Sequence, residues 1–249
     1  MFLKYMFFLV ILLIMKKVQV LEGIPFDWKM DKVRKALRMD RIKISSDEIF
    51  EILNTAKAKI QIRIGYIPVF ITHKNHDRVK IEKVTFTSRI LRKNLDKVER
   101  VFPFILTIGG DLEKEATSSS DLLRQYYLEV LGDIALDEGQ EYLEKHLKKR
   151  FGLKKLSYMS PGSLKDWPIE EQSMLFSLFY KSEESIGVRL TSKMLMIPKK
   201  SISGIYFPTE VSFLSCQLCD RDRCPERGAP YDQDLEKKYL DPDLDTILE

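Results

Sequence analysis

The stretch IGVRLTSKMLMIPKKSISGIYFP, residues 186–208, contains three runs that are typical of β-strands. The runs IGVRLTS, KMLMIP and SISGIYFPTEVSFL are rich in Ile, Val, Met and Phe, and the β-branched and aromatic members suit a pleated, half-buried surface. Similar runs occur at residues 62–71, 79–86 and 100–109. Because strands and helices do not alternate regularly, the sequence predicts a mixed α+β fold and not a doubly wound parallel sheet.

Helical periodicity lies mainly upstream of this stretch. Apolar residues at helical spacing predict helices over residues 27–39, 45–60 and, longest of all, 122–151. Gly132 and Gly139 fall inside the long helix, where each costs about 1 kcal/mol against Ala. We expect these two glycines to mark close packing and assign no chemistry to them.

The segment SYMSPGSLKDWPIEEQ, residues 157–172, joins the long helix to a shorter one predicted near residues 169–179. Its Ser-Pro-Gly turn has the composition of a loop that either reverses the chain or holds a ligand. Asp166 can cap the following helix, and Pro168 suits its first turn.

Composition excludes several classes of protein. The 249 residues are 44% hydrophobic, which argues against a disordered chain. Their net charge of +4 is modest for this length, which argues against a strongly basic binding surface on the protein. The basic run at residues 145–155 lies at a predicted helix end, where the dipole favours cations, so we predict no nucleic-acid partner. The sequence has no P-loop, no G-x-G-x-x-G after a strand and no H-E-x-x-H.

The first 17 residues form a hydrophobic leader with an apolar core of ten residues, about half of a membrane span. A start at Met15 would give an ordinary cytosolic opening and make the preceding fourteen residues an over-long gene prediction. A secretory signal or membrane tether is the alternative if residues 1–14 are translated. The expected location is the cytoplasm.

All three cysteines fall within nine residues, in the run CQLCDRDRC: Cys216, Cys219 and Cys224. Thiolates at C-x2-C spacing can share one tetrahedral ion, and a third can follow from the next turn. No fourth cysteine or histidine lies close by, so three readings remain open: an iron–sulfur cluster or zinc site, a redox-active dithiol, and inert thiols. A structural disulfide is disfavoured in a reducing cytosol.

From Leu122 to Pro208 the chain resembles the activation domain of vitamin B12 (cobalamin)-dependent methionine synthase. The resemblance rests on three motifs in the same order: a long helix ending in EYLEKHLKK, the loop SPGSLKDWPIEEQ, and the segment IGVRLTSKMLMIPKKSISGIYFP. It implies a twisted antiparallel sheet with flanking helices. We assign residues 18–215 to this domain in stand-alone form and residues 216–249 to a cysteine-containing C-terminal tail.

The resemblance also implies a function. In that family the domain binds S-adenosylmethionine and presents it to cobalamin carried on another module, while an electron donor reduces the oxidised corrinoid. Because the cofactors carry out the chemistry, no catalytic side chain is expected. The expected role is an accessory component of a methionine synthase-type methyltransferase. The alternatives are a cysteine-ligated module that delivers the electron, and a non-catalytic binding platform.

The family's ligand loop reads R-x-x-x-G-Y, and the matching positions here begin at Tyr158 and end at Ser163. The turn at Pro161 and Gly162 is kept. Tyr158 replaces the arginine, so a charge-assisted contact to the ligand's carboxylate is lost. The expected binding residues that complete this set, beside Tyr158, Pro161, Gly162 and Ser163, are Ser160, Tyr206 and, as a substitute cation, Arg189.

Overall fold

The computed structural model describes residues 18–39, 45–210, 213–224 and 227–240. The predicted leader, residues 1–17, and the end of the C-terminal tail, residues 241–249, lie outside these ranges. Within the described ranges no helix combines the length and the apolar character needed to cross a bilayer.

Eight strands form one curled antiparallel sheet, as predicted, and two short strands form a separate hairpin. The eight are β1 (Gln19–Leu21), β2 (Arg63–Tyr66), β3 (Val69–Lys74), β4 (Arg78–Ile81), β5 (Val84–Thr87), β6 (Arg100–Thr107), β7 (Leu156–Met159) and β10 (Ser201–Pro208). The hairpin pairs β8 (Arg189–Leu190) with β9 (Met196–Ile197).

The sheet branches at its central strand. β6 pairs with β10 along residues 102–107, with β2 along residues 104–107, and with β3 at residues 100 and 101. From β3 the sheet continues through β4 to β5, and from β10 it continues to β7. Among the described strands β7 pairs with β10 alone, so it lies at an edge of the sheet.

Helices cover the sheet. Their bounds are α1 (Met30–Ala36), α2 (Ser46–Lys59), α3 (Arg89–Asn94), α4 (Asp111–Ser118), α5 (Leu122–Phe151), α6 (Gln172–Ser177), α7 (Ser182–Ser185) and α8 (Gln233–Leu240). Short 3-10 turns occupy Ile169–Glu171 and Ser215–Leu218.

The long helix α5 has the predicted bounds because both of its ends are capped. The Asp121 carboxylate accepts from the amides of Leu123 and Arg124, and Gly152 ends the helix in a left-handed conformation with φ of 66°. A Cβ on Gly139 would lie 3.0 Å from Ile62 Cγ2. This confirms that the glycine marks close packing against the sheet.

Alternate residues of the central strands enter two hydrophobic clusters, as the two-residue period of a strand requires. Phe102, Phe104 and Tyr206 join the cluster that α1, α2 and α5 cover. Ile105, Ile205 and Phe207, by contrast, join the cluster that contains α3, α6 and Trp167. The second cluster is the one beneath the Ser-Pro-Gly segment.

Candidate ligand site at the Pro-Gly loop

The Pro-Gly loop, residues 160–167, begins with a tight turn at the end of the edge strand β7. The Ser163 amide donates to the Ser160 carbonyl at 3.1 Å, with Pro161 and Gly162 between them. Gly162 has φ of 81°, and a Cβ there would lie 2.8 Å from Ile169 Cδ1. Proline followed by a positive-φ glycine is the pattern of a type II turn, so this turn requires the glycine.

Two carboxylates hold the loop against the end of β5 and the start of α3. The Ile90 amide donates to the Asp166 carboxylate at 3.0 Å, and Ser88 Oγ also contacts that carboxylate. The Glu171 carboxylate accepts from the Thr87 amide at 2.9 Å and from Trp167 Nε1 at 2.8 Å. The loop is therefore fixed by side chains to a distant part of the chain.

Asp166 does not cap the helix that follows it, which corrects our expectation. The position before the 3-10 turn is Pro168, which makes no side-chain cap hydrogen bond. The local pattern suits a cap, but the Asp166 carboxylate is used instead by the first amides of α3, which would otherwise lack partners.

Tyr158 and Tyr206 are direct cross-strand partners on β7 and β10. Their ring centroids lie 5.3 Å apart, and Phe104 completes the aromatic group at 4.9 Å from Tyr206. Tyr206 is 1% exposed, whereas Tyr158 is 36% exposed. Burial raises the pKa of the Tyr206 phenol, and a hydrogen bond with the Gln140 side chain opposes that rise. The Tyr158 ring is thus the member of the pair that reaches solvent.

Gly204 allows the loop to approach the sheet closely. A Cβ at this position would lie 2.6 Å from the Met159 carbonyl oxygen and 2.7 Å from Ser160 Oγ. The Met159 carbonyl oxygen belongs to the backbone of β7, so it could move away only if the pairing of β7 with β10 were disturbed. The glycine in the S-x-S-G-x-Y-F motif therefore sets how near residues 159 and 160 come to β10, a role that we did not assign from the sequence.

Two cations, Arg189 and Lys165, each have a carboxylate partner. Arg189 lies in the separate β8–β9 hairpin, and its guanidinium is 3.9 Å from the Glu183 carboxylate. Lys165 lies in the loop itself and pairs with Asp220 at 2.6 Å, which raises the pKa of the lysine. The role of Arg189 as a substitute cation stays a prediction.

The cysteines lie next to this loop. Cys219 packs against the same hydrophobic cluster as Trp167, and Asp220 carries the ion pair to Lys165. All three cysteines are half-buried, and none of them forms a disulfide. Among the described residues no three His, Cys, Asp or Glu side chains converge to hold a metal ion, so the structure does not bring Cys216, Cys219 and Cys224 together.

A known protein family matches the segment that contains most of the Pro-Gly loop and the cysteine run. Residues 162–227 match the family model described as the vitamin B12-dependent methionine synthase activation domain. The chain is similar to a methionine synthase activation domain. The matched segment begins at Gly162 of the loop and runs past residue 215 through all three cysteines. It therefore crosses the boundary that we predicted between domain and tail.

A solved activation domain confirms the fold. The MetH reactivation domain bound to AdoHcy superposes with a TM-score of 0.56 at 15% identity, over 80% of this chain and 81% of that one. At this identity the likeness shows the fold alone. No curated protein sequence matches the chain.

Sequence reasoning found the turn and the tyrosines but not their supports. Asp166 was predicted to cap its own helix and no partner was predicted for Glu171, although their partners Ile90 and Thr87 lie more than seventy positions away. Of these supporting residues, Gly204 could have been found from the sequence, because a glycine inside an apolar strand indicates a close approach of another backbone segment.

Proposed function

We propose that this protein is an accessory factor for reductive reactivation of a cobalamin-dependent methyltransferase of the methionine synthase type. It binds S-adenosylmethionine at the Pro-Gly loop and docks on the corrinoid module of its partner. The observation that carries the proposal is the positive-φ turn at Gly162, which follows the strand with the exposed Tyr158 ring and begins the segment that matches the activation-domain family.

The loop offers the kind of surface that such a ligand requires. The exposed face of Tyr158 can pack against an adenine ring or a sulfonium cation. The backbone of residues 160–163 is fixed by the turn and by the carboxylates of Asp166 and Glu171. A site that is rigid before binding loses little entropy when a ligand enters.

In the proposed reaction a one-electron donor first reduces cob(II)alamin on the partner to cob(I)alamin. The cobalt then takes the methyl group of S-adenosylmethionine, and the electron pair of the broken carbon–sulfur bond stays on sulfur, which gives S-adenosylhomocysteine. The residues of this chain position the sulfonium, so the role is placement and not acid–base catalysis. The protein would act in the cytoplasm, where its thiols stay reduced.

Calorimetric titration with S-adenosylmethionine tests the ligand half of the proposal. We expect saturable binding that Gly162→Ala weakens, because the Cβ would strain the turn and meet Ile169. Gly152→Ala is the matched control, since Gly152 also has positive φ but no atom of the described residues lies within 4 Å of its Cβ position. No binding heat at millimolar ligand would contradict this half and leave the docking half standing.

A reconstituted reaction tests the docking half. A purified methionine synthase lacking its own activation domain, loaded with cob(II)alamin, is mixed with a chemical reductant, S-adenosylmethionine and this protein. We expect the visible spectrum to change to that of methylcobalamin only when this chain is present. An identical rate of change without the chain would contradict the proposal.

The alternative, a cysteine-ligated module that delivers the electron, is favoured by one observation. The cysteine run lies beside the loop, where the Asp220–Lys165 ion pair joins the two. A redox-active iron–sulfur cluster at these thiols would give coloured protein and iron on anaerobic purification. Colourless protein without iron would exclude that alternative.

A further inference from the structure

We propose that Lys148 and Glu144 of α5 bind the amino-acid end of S-adenosylmethionine, with the Lys148 ammonium on its carboxylate and the Glu144 carboxylate on its α-ammonium. Because Tyr158 occupies the position of the arginine in the ligand loop, the carboxylate of the ligand needs another cation. The assignment concerns the same ligand and therefore rests on the proposed function.

Three half-buried polar side chains lie one turn apart on the same face of α5. Gln140, Glu144 and Lys148 have the four-residue spacing that places helical side chains above one another. The Gln140 side chain forms a hydrogen bond with the Tyr206 phenol. This face of the helix therefore looks toward β10, and Glu144 and Lys148 continue it toward the C-terminal end of α5.

The Glu144 carboxylate lies near the aromatic pair of the site. Burial is the main cause of the raised pKa of Tyr206, and the charges of Glu144 and of the Tyr158 phenol raise this pKa further. Both groups thus act on the same hydroxyl. Since the Tyr158 ring lies 5.3 Å from that of Tyr206 and reaches solvent, a ligand that packs on Tyr158 comes near the Glu144 carboxylate.

The Lys148–Glu144 ion pair has the charges that an α-amino acid requires. Lys148 Nζ donates to Glu144 Oε1 at 2.5 Å, and the two side chains are 34% and 36% exposed. An ammonium has three donors, and among the described residues this bond is the one that the Lys148 ammonium makes, so two donors remain for a ligand carboxylate. An amino acid lying antiparallel to the pair would place opposite charges side by side, and hydrogen bonds between such groups are strong.

The other cations near the loop are less suitably placed. Arg189 and Lys165 each pair with a carboxylate away from α5. Lys154 and Lys155 precede β7 in the sequence, but they line a groove with Phe213, which belongs to the second hydrophobic cluster. Tyr206, by contrast, belongs to the first cluster, on the side of the sheet that α5 covers. The lysine on α5 is therefore the cation on the same side as the aromatic pair.

Calorimetric titration of the full chain with S-adenosylmethionine and S-adenosylhomocysteine tests the assignment. Both compounds carry the amino-acid end, whereas 5′-methylthioadenosine lacks it. Lys148→Ala should weaken binding of the first two by about tenfold, as loss of a charge-assisted hydrogen bond does, and leave binding of 5′-methylthioadenosine unchanged. Glu144→Gln should have the same selective effect. Lys148→Arg keeps the charge and should restore most of the affinity.

Lys145→Ala is the matched control for Lys148→Ala. Lys145 also pairs with the glutamate four residues before it, since its ammonium lies 3.6 Å from the Glu141 carboxylate, but this pair lies on another face of α5. We expect Lys145→Ala to leave all three affinities unchanged. Thermal unfolding of the two variants measures the part of the effect that comes from helix stability alone.

Two results would overturn the assignment and leave the proposed function standing. One is a folded Lys148→Ala protein that binds S-adenosylmethionine as tightly as the parent, in particular if Arg189→Ala loses that binding. The other is an equal loss of affinity for 5′-methylthioadenosine, which would show a purely structural role. A parent protein that binds neither S-adenosyl compound would instead contradict the ligand half of the proposed function, and the assignment with it.

Discussion

Tyr158 and Tyr206 face each other across the β7–β10 pair with ring centroids 5.3 Å apart, yet only Tyr158 reaches solvent. Tyr206 lies in the cluster beneath α5, next to Phe104. We therefore expect the buried Tyr206 ring to stabilise the fold and the exposed Tyr158 ring to contact a ligand. This division gives the first prediction.

Tyr158→Ala should weaken S-adenosylmethionine binding by roughly tenfold, the equivalent of an aromatic contact of about 1.4 kcal/mol, with a small effect on unfolding. Tyr206→Ala should instead lower the free energy of unfolding by about 3–5 kcal/mol, as truncation of a buried aromatic does. Urea unfolding and calorimetry measure both quantities. Equal stability losses in the two variants would contradict the assigned roles.

Gly204→Ala should separate β7 from β10, because the new Cβ would lie 2.6 Å from the Met159 carbonyl oxygen. We expect a loss of about 1–3 kcal/mol, the usual range for overpacking, together with weaker ligand binding. Gly228→Ala is the matched control, since among the described residues the one atom near its Cβ would be Cys216 Sγ, at 3.9 Å. Thermal unfolding compares the variants, and unchanged stability in Gly204→Ala would be the contrary result.

Asp166→Ala should destabilise α3, not the helix that follows the loop. The substitution leaves the Arg89 and Ile90 amides without their side-chain acceptor, and loss of a cap costs about 1 kcal/mol. Hydrogen exchange should rise at the start of α3. The exposed neighbour Glu170, changed to Ala, should leave exchange at those amides unaltered; if it raised exchange equally, the cap assignment would fail.

Glu141 should make stability depend on acid pH. A hydrogen bond from Lys32, and then one from Lys29, lowers the pKa of Glu141 from 4.5 to about 2. Because the folded-state pKa is depressed, the ion pairs stabilise the protein above pH 4.5, and this contribution is lost as the pH falls toward 2. Both partners are about 40% exposed, so the effect stays within about 1 kcal/mol.

Glu141→Gln should flatten the pH dependence of the unfolding midpoint across that window, and Glu170→Gln should not. Chemical unfolding at several pH values between 2 and 5 provides the measurement. A Glu141→Gln profile that overlays the parent profile would show that these ion pairs do not contribute.

The sequence predicted the helices and turns that are determined by residues close together in the chain. Helix α5 has its predicted bounds because Asp121 and Gly152 cap it. The strand runs predicted the mixed α+β class, and the resemblance to the activation domain implied the antiparallel sheet. The Pro161–Gly162 turn was predicted on the same basis, since proline and a positive-φ glycine define it without help from elsewhere.

Pairings between distant positions could not be read from the pattern. Asp166 looks like a helix cap for its own neighbours, but its partners lie on α3. The Lys165–Asp220 ion pair joins the loop to the cysteine run across 55 positions. Residue type alone cannot identify the partner of a charged side chain at that separation, because many side chains of opposite charge are equally suitable.

The carboxylates of Asp166 and Glu171 have a consequence for the strength of ligand binding. They accept hydrogen bonds from the amides of Thr87 and Ile90, so moving the loop would break both bonds and leave the part-buried Ile90 amide without its side-chain acceptor. If the loop binds S-adenosylmethionine as proposed, we expect it to lose little conformational entropy, so that the affinity depends mainly on its contacts with the ligand. Restoring an arginine by Tyr158→Arg would then add its carboxylate contact to a backbone that is already ordered.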